Sequence, residues 1–200
     1  PLDRNPVRRP QLNPPPTTML GLLKPTDPSW VKAVEQDLGQ LLDDHAHCEM
    51  KAAQSALSIV GRWGGTYPAL VEPLIALAKE EANHFLEVEA RIRSRSATLT
   101  SPRADEYVLA LRAQAQIDSQ DVPRLLDRLL VSALIEARSC ERFKLLGEQL
   151  ESEELRAFYL GLMKAEARHY RLFVSLAEAC FGEAATRARL TILAEREGEI

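Results

Sequence analysis

The sequence predicts an all-α protein, a four-helix bundle whose two hairpins are joined by one long crossover. Three observations lead there. Apolar residues recur in steps of three and four along four long segments, the mark of helices with one buried face. The first and second segments, and the third and fourth, are separated by short turns, whereas about 25 residues, 97 to 121, separate the middle two. No segment of any length alternates apolar and polar residues as a half-buried strand would.

Taken in order, residues 1–27 read as a Pro-rich N-terminal arm, since eight of the twelve prolines fall within the first 28 positions. Residues 28–200 read as the bundle domain. Asp27 followed by Pro28 is a helix start, and the chain from Trp30 to about Arg62 is free of proline and ends near Gly64 and Gly65. A second helix begins at Pro68 or Pro73 and runs to about Ser96. The crossover follows, with a helical stretch expected around Tyr107 to Leu111. A third helix is expected from Val122 to Leu146, stopping at Gly147, and a fourth from Ser152, where Glu153 and Glu154 suit the positive end of the helix dipole. Glu183 to Glu195 reads as a short C-terminal helix.

Composition narrows the function. In 200 residues, 46% hydrophobic content suffices for one sizeable core. A formal charge of −4 excludes a surface that is basic throughout, though not a local basic patch. Cys48, Cys140 and Cys180 are widely spaced, with no CxxC pair for a zinc ribbon or rubredoxin site, and fit a reducing cytoplasm. Neither a signal peptide nor a membrane span is expected, because no long apolar run occurs.

The chemistry lies in residues that break the apolar stripes. In the fourth helix Glu166 and His169 continue the stripe of Leu155, Tyr159, Leu162, Phe173 and Leu176; in the second, Glu81 and His84 join Leu74, Leu77 and Val88. His45 and Glu49 sit on the buried face of the first helix, and Glu136 on that of the third. A carboxylate facing a core is costly unless it is paired or bound to metal. Each ExxH pair presents an oxygen and a nitrogen on one side of its helix. Either pair alone would ordinarily be a surface pair, but two coincidences favour a joint site. The midpoint of Glu49 and Glu81 is position 65, in the first turn, and that of Glu136 and Glu166 is 151, in the second. In an antiparallel hairpin, each lone glutamate therefore lies level with an ExxH pair. The halves also repeat: Leu77-Ala-Lys-Glu-Glu-Ala-Asn-His-Phe85 aligns with Leu162-Met-Lys-Ala-Glu-Ala-Arg-His-Tyr170.

One glutamate from each of two helices and ExxH from the other two is the ligand set of ferritin-like dimetal bundles. The predicted metal ligands are Glu49, Glu81, His84, Glu136, Glu166 and His169, and no catalytic residue is predicted beyond them. Carboxylates with two imidazoles and no thiolate favour iron or manganese, and two iron ions are the expected cofactor. His45, one turn before Glu49, is expected to hydrogen-bond a ligand carboxylate or to pack in the core. His47 is expected at the surface. Cys48 and Cys140 are expected to line the core without an assigned role.

The segments Asp44-His-Ala-His-Cys-Glu-Met-Lys-Ala-Ala53, Leu77 to Phe85, Glu136-Ala-Arg-Ser-Cys-Glu-Arg-Phe143 and Glu166-Ala-Arg-His-Tyr170 resemble the tRNA 2-methylthio-N6-isopentenyladenosine hydroxylase family, over roughly residues 20 to 197. The resemblance implies a non-haem diiron monooxygenase that hydroxylates the isopentenyl group of a hypermodified adenosine in tRNA. It implies dioxygen as co-substrate, a reductase or ferredoxin as electron donor, and the same six residues as iron ligands. Arg91, Arg93, Arg95 and Arg103 lie in a stretch without acidic residues, with Arg8, Arg9 and Lys24 in the arm, and are candidate RNA contacts. The competing readings are a bacterioferritin- or rubrerythrin-like ferroxidase or peroxidase, a manganese catalase or radical protein, and a metal-free helical interaction module.

Overall fold

The computed structural model describes residues 19–117 and 122–200. Most of the predicted arm, Arg8 and Arg9 included, lies outside them. Among the described residues every regular element is helical, so the all-α expectation holds. In chain order the α-helices are α1 (Ser29–Glu35), α2 (Leu38–Trp63), α3 (Val71–Ser94), α4 (Glu106–Gln116), α5 (Arg124–Gln149), α6 (Glu153–Phe181) and α7 (Glu183–Glu197). The ferritin-like arrangement follows from their pairing. α2 packs along α3 and α5 along α6 as two hairpins, and α4 lies in the crossover that joins them.

Local chemistry sets the boundaries. Asp27 Oδ1 accepts from the Ser29 amide at 2.8 Å, opening α1 as the Asp-Pro pair predicts. The first long helix is nevertheless two helices. Gln36 ends α1, and Asp37, at φ −140° and ψ 76°, caps α2 by accepting from the Gln40 amide at 2.9 Å. A capping aspartate inside an otherwise continuous apolar pattern supplied an alternative to the helical ladder. Asp105 and Ser152 cap α4 and α6 in the same way, through the amides of Val108 and Leu155.

Gly147 does not stop the third helix, which runs on to Gln149. Its role is steric: a Cβ there would lie 2.5 Å from Leu160 Cγ, so glycine allows α5 and α6 to approach closely just before their turn.

Residues 19–27 pack onto the bundle. Leu22 is fully buried, and Glu141 accepts from both the amide and the hydroxyl of Thr26, at 2.9 and 2.7 Å. α7 lies across α5, α6 and α4. It is fixed by two buried ion pairs, Arg138 to Glu197 at 2.6 Å and Arg189 to Asp127 at 2.7 Å.

The apolar interior divides into two clusters. One gathers Ile59, Leu74, Leu129, Leu134 and Phe173; the other gathers Leu42, Val88, Phe143, Leu155 and Tyr159. On each helix the predicted ligands fall between the residues of these clusters, so the polar layer is walled by hydrocarbon on both sides. No helix among the described residues is long and apolar enough to cross a membrane.

Candidate metal centre

The hairpin geometry brings all six predicted ligands into one buried layer. Glu49 comes from α2, Glu81 and His84 from α3, Glu136 from α5, and Glu166 and His169 from α6; each is buried. Their donor atoms form two overlapping groups: Glu49, Glu81, His84 and Glu166 in one, and Glu81, Glu136, Glu166 and His169 in the other. Within each, the donor atoms all lie within 4.8 Å of one another. Glu81 and Glu166 belong to both. The two oxygens of Glu81 divide between the imidazoles, Oε2 lying 3.1 Å from His84 Nδ1 and Oε1 2.9 Å from His169 Nδ1.

The donor set fits a pair of cations. Glu81 Oε1, Glu166 Oε1 and His169 Nδ1 are buried without a hydrogen-bond partner; the last contact above is close but not aligned for a hydrogen bond. Such atoms, aimed at a common point, lack the partner that burial demands. The charge balance gives the same result. Burial, then the charge of Glu81, pushes the Glu136 carboxyl up to about 8. Burial, then the charge of Glu136, raises Glu166 well above the ordinary carboxylate range. Burial works to lower both imidazoles, but Glu49 and Glu81 outweigh it at His84, raised to about 10, and Glu81 outweighs it at His169, raised to about 9. Burial also disfavours the charged form of Glu49, yet the hydrogen bonds from His45 and His84 hold this carboxyl well below its usual range. Without metal the cluster retains protons where cations would otherwise balance the carboxylates.

His45 Nε2 lies 2.7 Å from Glu49 Oε1. Its ring stacks on Tyr159 at 5.4 Å and leans on Phe143 at 4.8 Å, which fixes the imidazole and, through it, the Glu49 carboxylate.

His47 departs from its surface assignment. It is buried, with Nε2 3.0 Å from the Thr100 carbonyl oxygen, while Asp43 accepts from the Thr100 amide at 2.8 Å. The two side chains tie α2 to the start of the crossover. Cys48, expected in the core, is exposed, whereas Cys140 is buried. The burial of His47 reflects the helix face that the crossover covers, which periodicity within α2 alone does not specify, and Cys48 lines the cavity between α2, α4 and α5.

Sequence reasoning missed Glu80. Its Oε2 lies 3.2 Å from the outer nitrogen of His169, and its Oε1 2.5 Å from Arg168 and 4.0 Å from His84 Nε2. The signal was present as a glutamate four residues before His84 on the same helix.

On the opposite side, between α2, α4 and α5, a cavity of about 490 Å³ reaches Glu136. Its wall carries Lys51, Arg103, Arg112, Arg128, Arg138 and Arg142 against the acids Asp105 and Glu136. Of the candidate RNA contacts only Arg103 lines it. Arg91 and Arg95 pair with Glu154 at 2.9 and 3.6 Å, and Arg93 with Glu89 at 2.8 Å.

Comparison with known proteins gives one consistent result. The family model described as tRNA-(MS[2]IO[6]A)-hydroxylase (MiaE) matches residues 15–200. The chain is 40% identical over 165 residues, covering 82% of this chain and 78% of the relative, to a protein of Pseudomonas putida strain KT2440 named tRNA 2-(methylsulfanyl)-N(6)-isopentenyladenosine(37) hydroxylase. A protein of the same name from Salmonella typhimurium strain LT2 is 29% identical, covering 88% of this chain and 82% of the relative. Among solved structures, a protein described as having aldehyde deformylating oxygenase activity, from Synechococcus, superposes with a TM-score of 0.82 at 39% identity, covering 88% of this chain and 86% of that one. By the extent of the family match, the chain belongs to the tRNA-(MS[2]IO[6]A)-hydroxylase (MiaE) family.

Proposed function

We propose that this protein hydroxylates the isopentenyl group of 2-methylthio-N6-isopentenyladenosine in tRNA, as a diiron monooxygenase of the cytoplasm that uses dioxygen and electrons from a reductase or ferredoxin. The observation that carries the reading is the pairing of a cluster able to hold two metal ions with a basic cavity that reaches it. In this reading Glu49, Glu81, His84 and Glu166 would hold one ion, and Glu81, Glu136, Glu166 and His169 the other. A carboxylate-rich donor set suits iron. The chemistry supplied by a bound iron pair is the reductive activation of dioxygen, so that one oxygen enters the C–H bond and the other leaves as water, with two electrons and two protons consumed.

The chain's own residues do the rest. His45 orients Glu49, and the two apolar clusters exclude water from the layer. Glu136 is both a member of the cluster and a lining residue of the cavity, which supports approach of the substrate's reacting carbon from the α2/α5 side. Arg103 contributes to RNA contact, while Arg91 and Arg95 hold the end of α3 to Glu154 at the start of α6 and Arg93 pairs with Glu89 within α3.

A second reading comes from the Synechococcus neighbour, which is described as acting on aldehydes. An aldehyde without a phosphate leaves the six basic side chains around the cavity without an anion, and these favour a phosphate-bearing substrate. The test is direct. Protein loaded with iron, given a reductant, oxygen and tRNA carrying the modified adenosine, is expected to yield a nucleoside heavier by one oxygen atom on mass spectrometry of the digest. Unchanged nucleoside, together with turnover of a long-chain aldehyde, would contradict the proposal.

A further inference from the structure

Of the six basic residues around the cavity, several are already committed. Arg138 pairs with Glu141 and Glu197, Arg142 lies over the rings of Trp30 and Tyr107, and Lys51 donates to the Arg103 carbonyl at 2.8 Å. Arg112 and Arg128 form a pair: both line the cavity, one from α4 and the other from α5, and among the described residues neither, like Arg103 and Arg142, has a carboxylate within salt-bridge distance. Arg128 donates to Ser55 Oγ at 3.0 Å, while the Nε of Arg112 is buried without a partner. The two guanidiniums also feel one another: burial first, then the Arg112 charge, holds Arg128 below the ordinary arginine value. Two like charges, partly desolvated and without a counter-ion, are costly unless an anion arrives between them.

The register along α5 says which anion. Arg128, Ser132 and Glu136 lie at i, i+4 and i+8, on one side of the helix and about 12 Å apart from first to last at 1.5 Å per residue. The cavity is also lined by Ala52, Ile135 and Phe173, apolar surface suited to the face of a base. Arg128, this apolar surface and Glu136 about two turns along α5 match the three parts of a nucleotide: phosphate, base, and the substituent on the base edge.

We propose that Arg112 and Arg128 form a phosphate-binding pair that grips an RNA backbone phosphate flanking the modified adenosine and so anchors the nucleotide in the cavity. The proposal rests on the tRNA hydroxylase reading and assigns the positioning of the nucleotide to this pair. Free phosphate would satisfy the same two forks, so the test separates the sources.

The experiment compares iron-loaded wild type with Arg112→Gln, Arg128→Gln and their Lys counterparts, with exposed Arg187→Gln as the control. The substrates are an anticodon stem-loop RNA carrying the modified adenosine and the free modified nucleoside, which has no phosphate. Each Gln variant is expected to raise KM for the RNA about tenfold, leave kcat within about twofold, and make the dependence of RNA affinity on salt shallower by about one in the log–log slope. Turnover of the free nucleoside should be unaffected. The Lys variants retain the charge without the fork, so they should keep the salt slope with part of the KM loss. Gln or Lys variants that melt like wild type and show the KM and salt slope of the Arg187→Gln control would overturn the pair while leaving the hydroxylase reading intact. Inorganic phosphate bound by wild type and lost in the variants, with no hydroxylation of either substrate by wild type, would overturn both.

Discussion

The outer nitrogen of His169 lies 3.2 Å from Oε2 of Glu80, a residue one position before the candidate ligand Glu81. The other oxygen of Glu80 stands 4.0 Å from the outer nitrogen of His84, so one carboxylate addresses both candidate ligand imidazoles. The sequence repeat explains why only one is present, since the position equivalent to Glu80 in the second half is Ala165. A carboxylate behind a ligand histidine fixes the ring and raises its basicity, and its loss commonly costs about 10- to 100-fold in metal affinity. Glu80→Gln is therefore expected to fold normally and to weaken iron binding by about that factor, measured by competition with a chelator. Unchanged affinity would assign Glu80 to the exposed Arg168 pair alone.

Stability should fall more steeply with rising pH without metal than with it. Glu136, raised to about 8 from 4.5, adds stability that is present below pH 4.5 and lost as pH rises through 8. His84, raised to about 10 from 6.5, adds stability that is full below pH 6.5 and lost as pH rises through 10. Metal-free protein should accordingly melt at lower temperature at pH 9.5 than at pH 7. Metal displaces the protons that these groups hold, so its stabilising effect should grow over the same range. Melting curves of both forms at three pH values check this, and parallel pH profiles would contradict it.

Gly147→Ala should destabilise the fold without touching the site. The added Cβ would meet Leu160 at 2.5 and 2.7 Å, and forcing α5 from α6 is expected to cost about 1–3 kcal/mol. Thermal denaturation reads the cost, and retained metal content shows that it is confined to the turn end.

Arg138→Ala should be more damaging. It leaves Glu197, whose side chain is 1% exposed, without its 2.6 Å partner, a loss of about 3–5 kcal/mol. Removing the exposed Arg187–Glu183 pair should cost about 0–1 kcal/mol. Comparable melting temperatures for the two variants would refute the role given to the α7 anchor.

The layer of Glu49, Glu81, His84, Glu136, Glu166 and His169 was legible in the sequence because helix period and hairpin symmetry are local rules: a side chain's face follows from its spacing, and its level from the distance to the turn. What escaped depends on contacts between distant segments. Asp37 caps α2 within an apolar pattern that continues unbroken on both sides, so the break is invisible to periodicity. Gly147 was read as a helix stop, although its reason is Leu160 on the neighbouring helix. His47 was read as a surface residue because its partner, Thr100, lies in the crossover. The cavity joining Arg112 on α4 to Arg128 on α5 likewise exists only once the crossover helix has docked.

A two-iron site held by these six residues is tested by metal content and type on freshly purified wild type beside a Glu166→Ala, His169→Ala double variant. About two irons per chain are expected in the wild type, lost in a variant that remains helical. Wild-type protein that binds no metal when offered ferrous iron, or a variant that retains both ions, would contradict it.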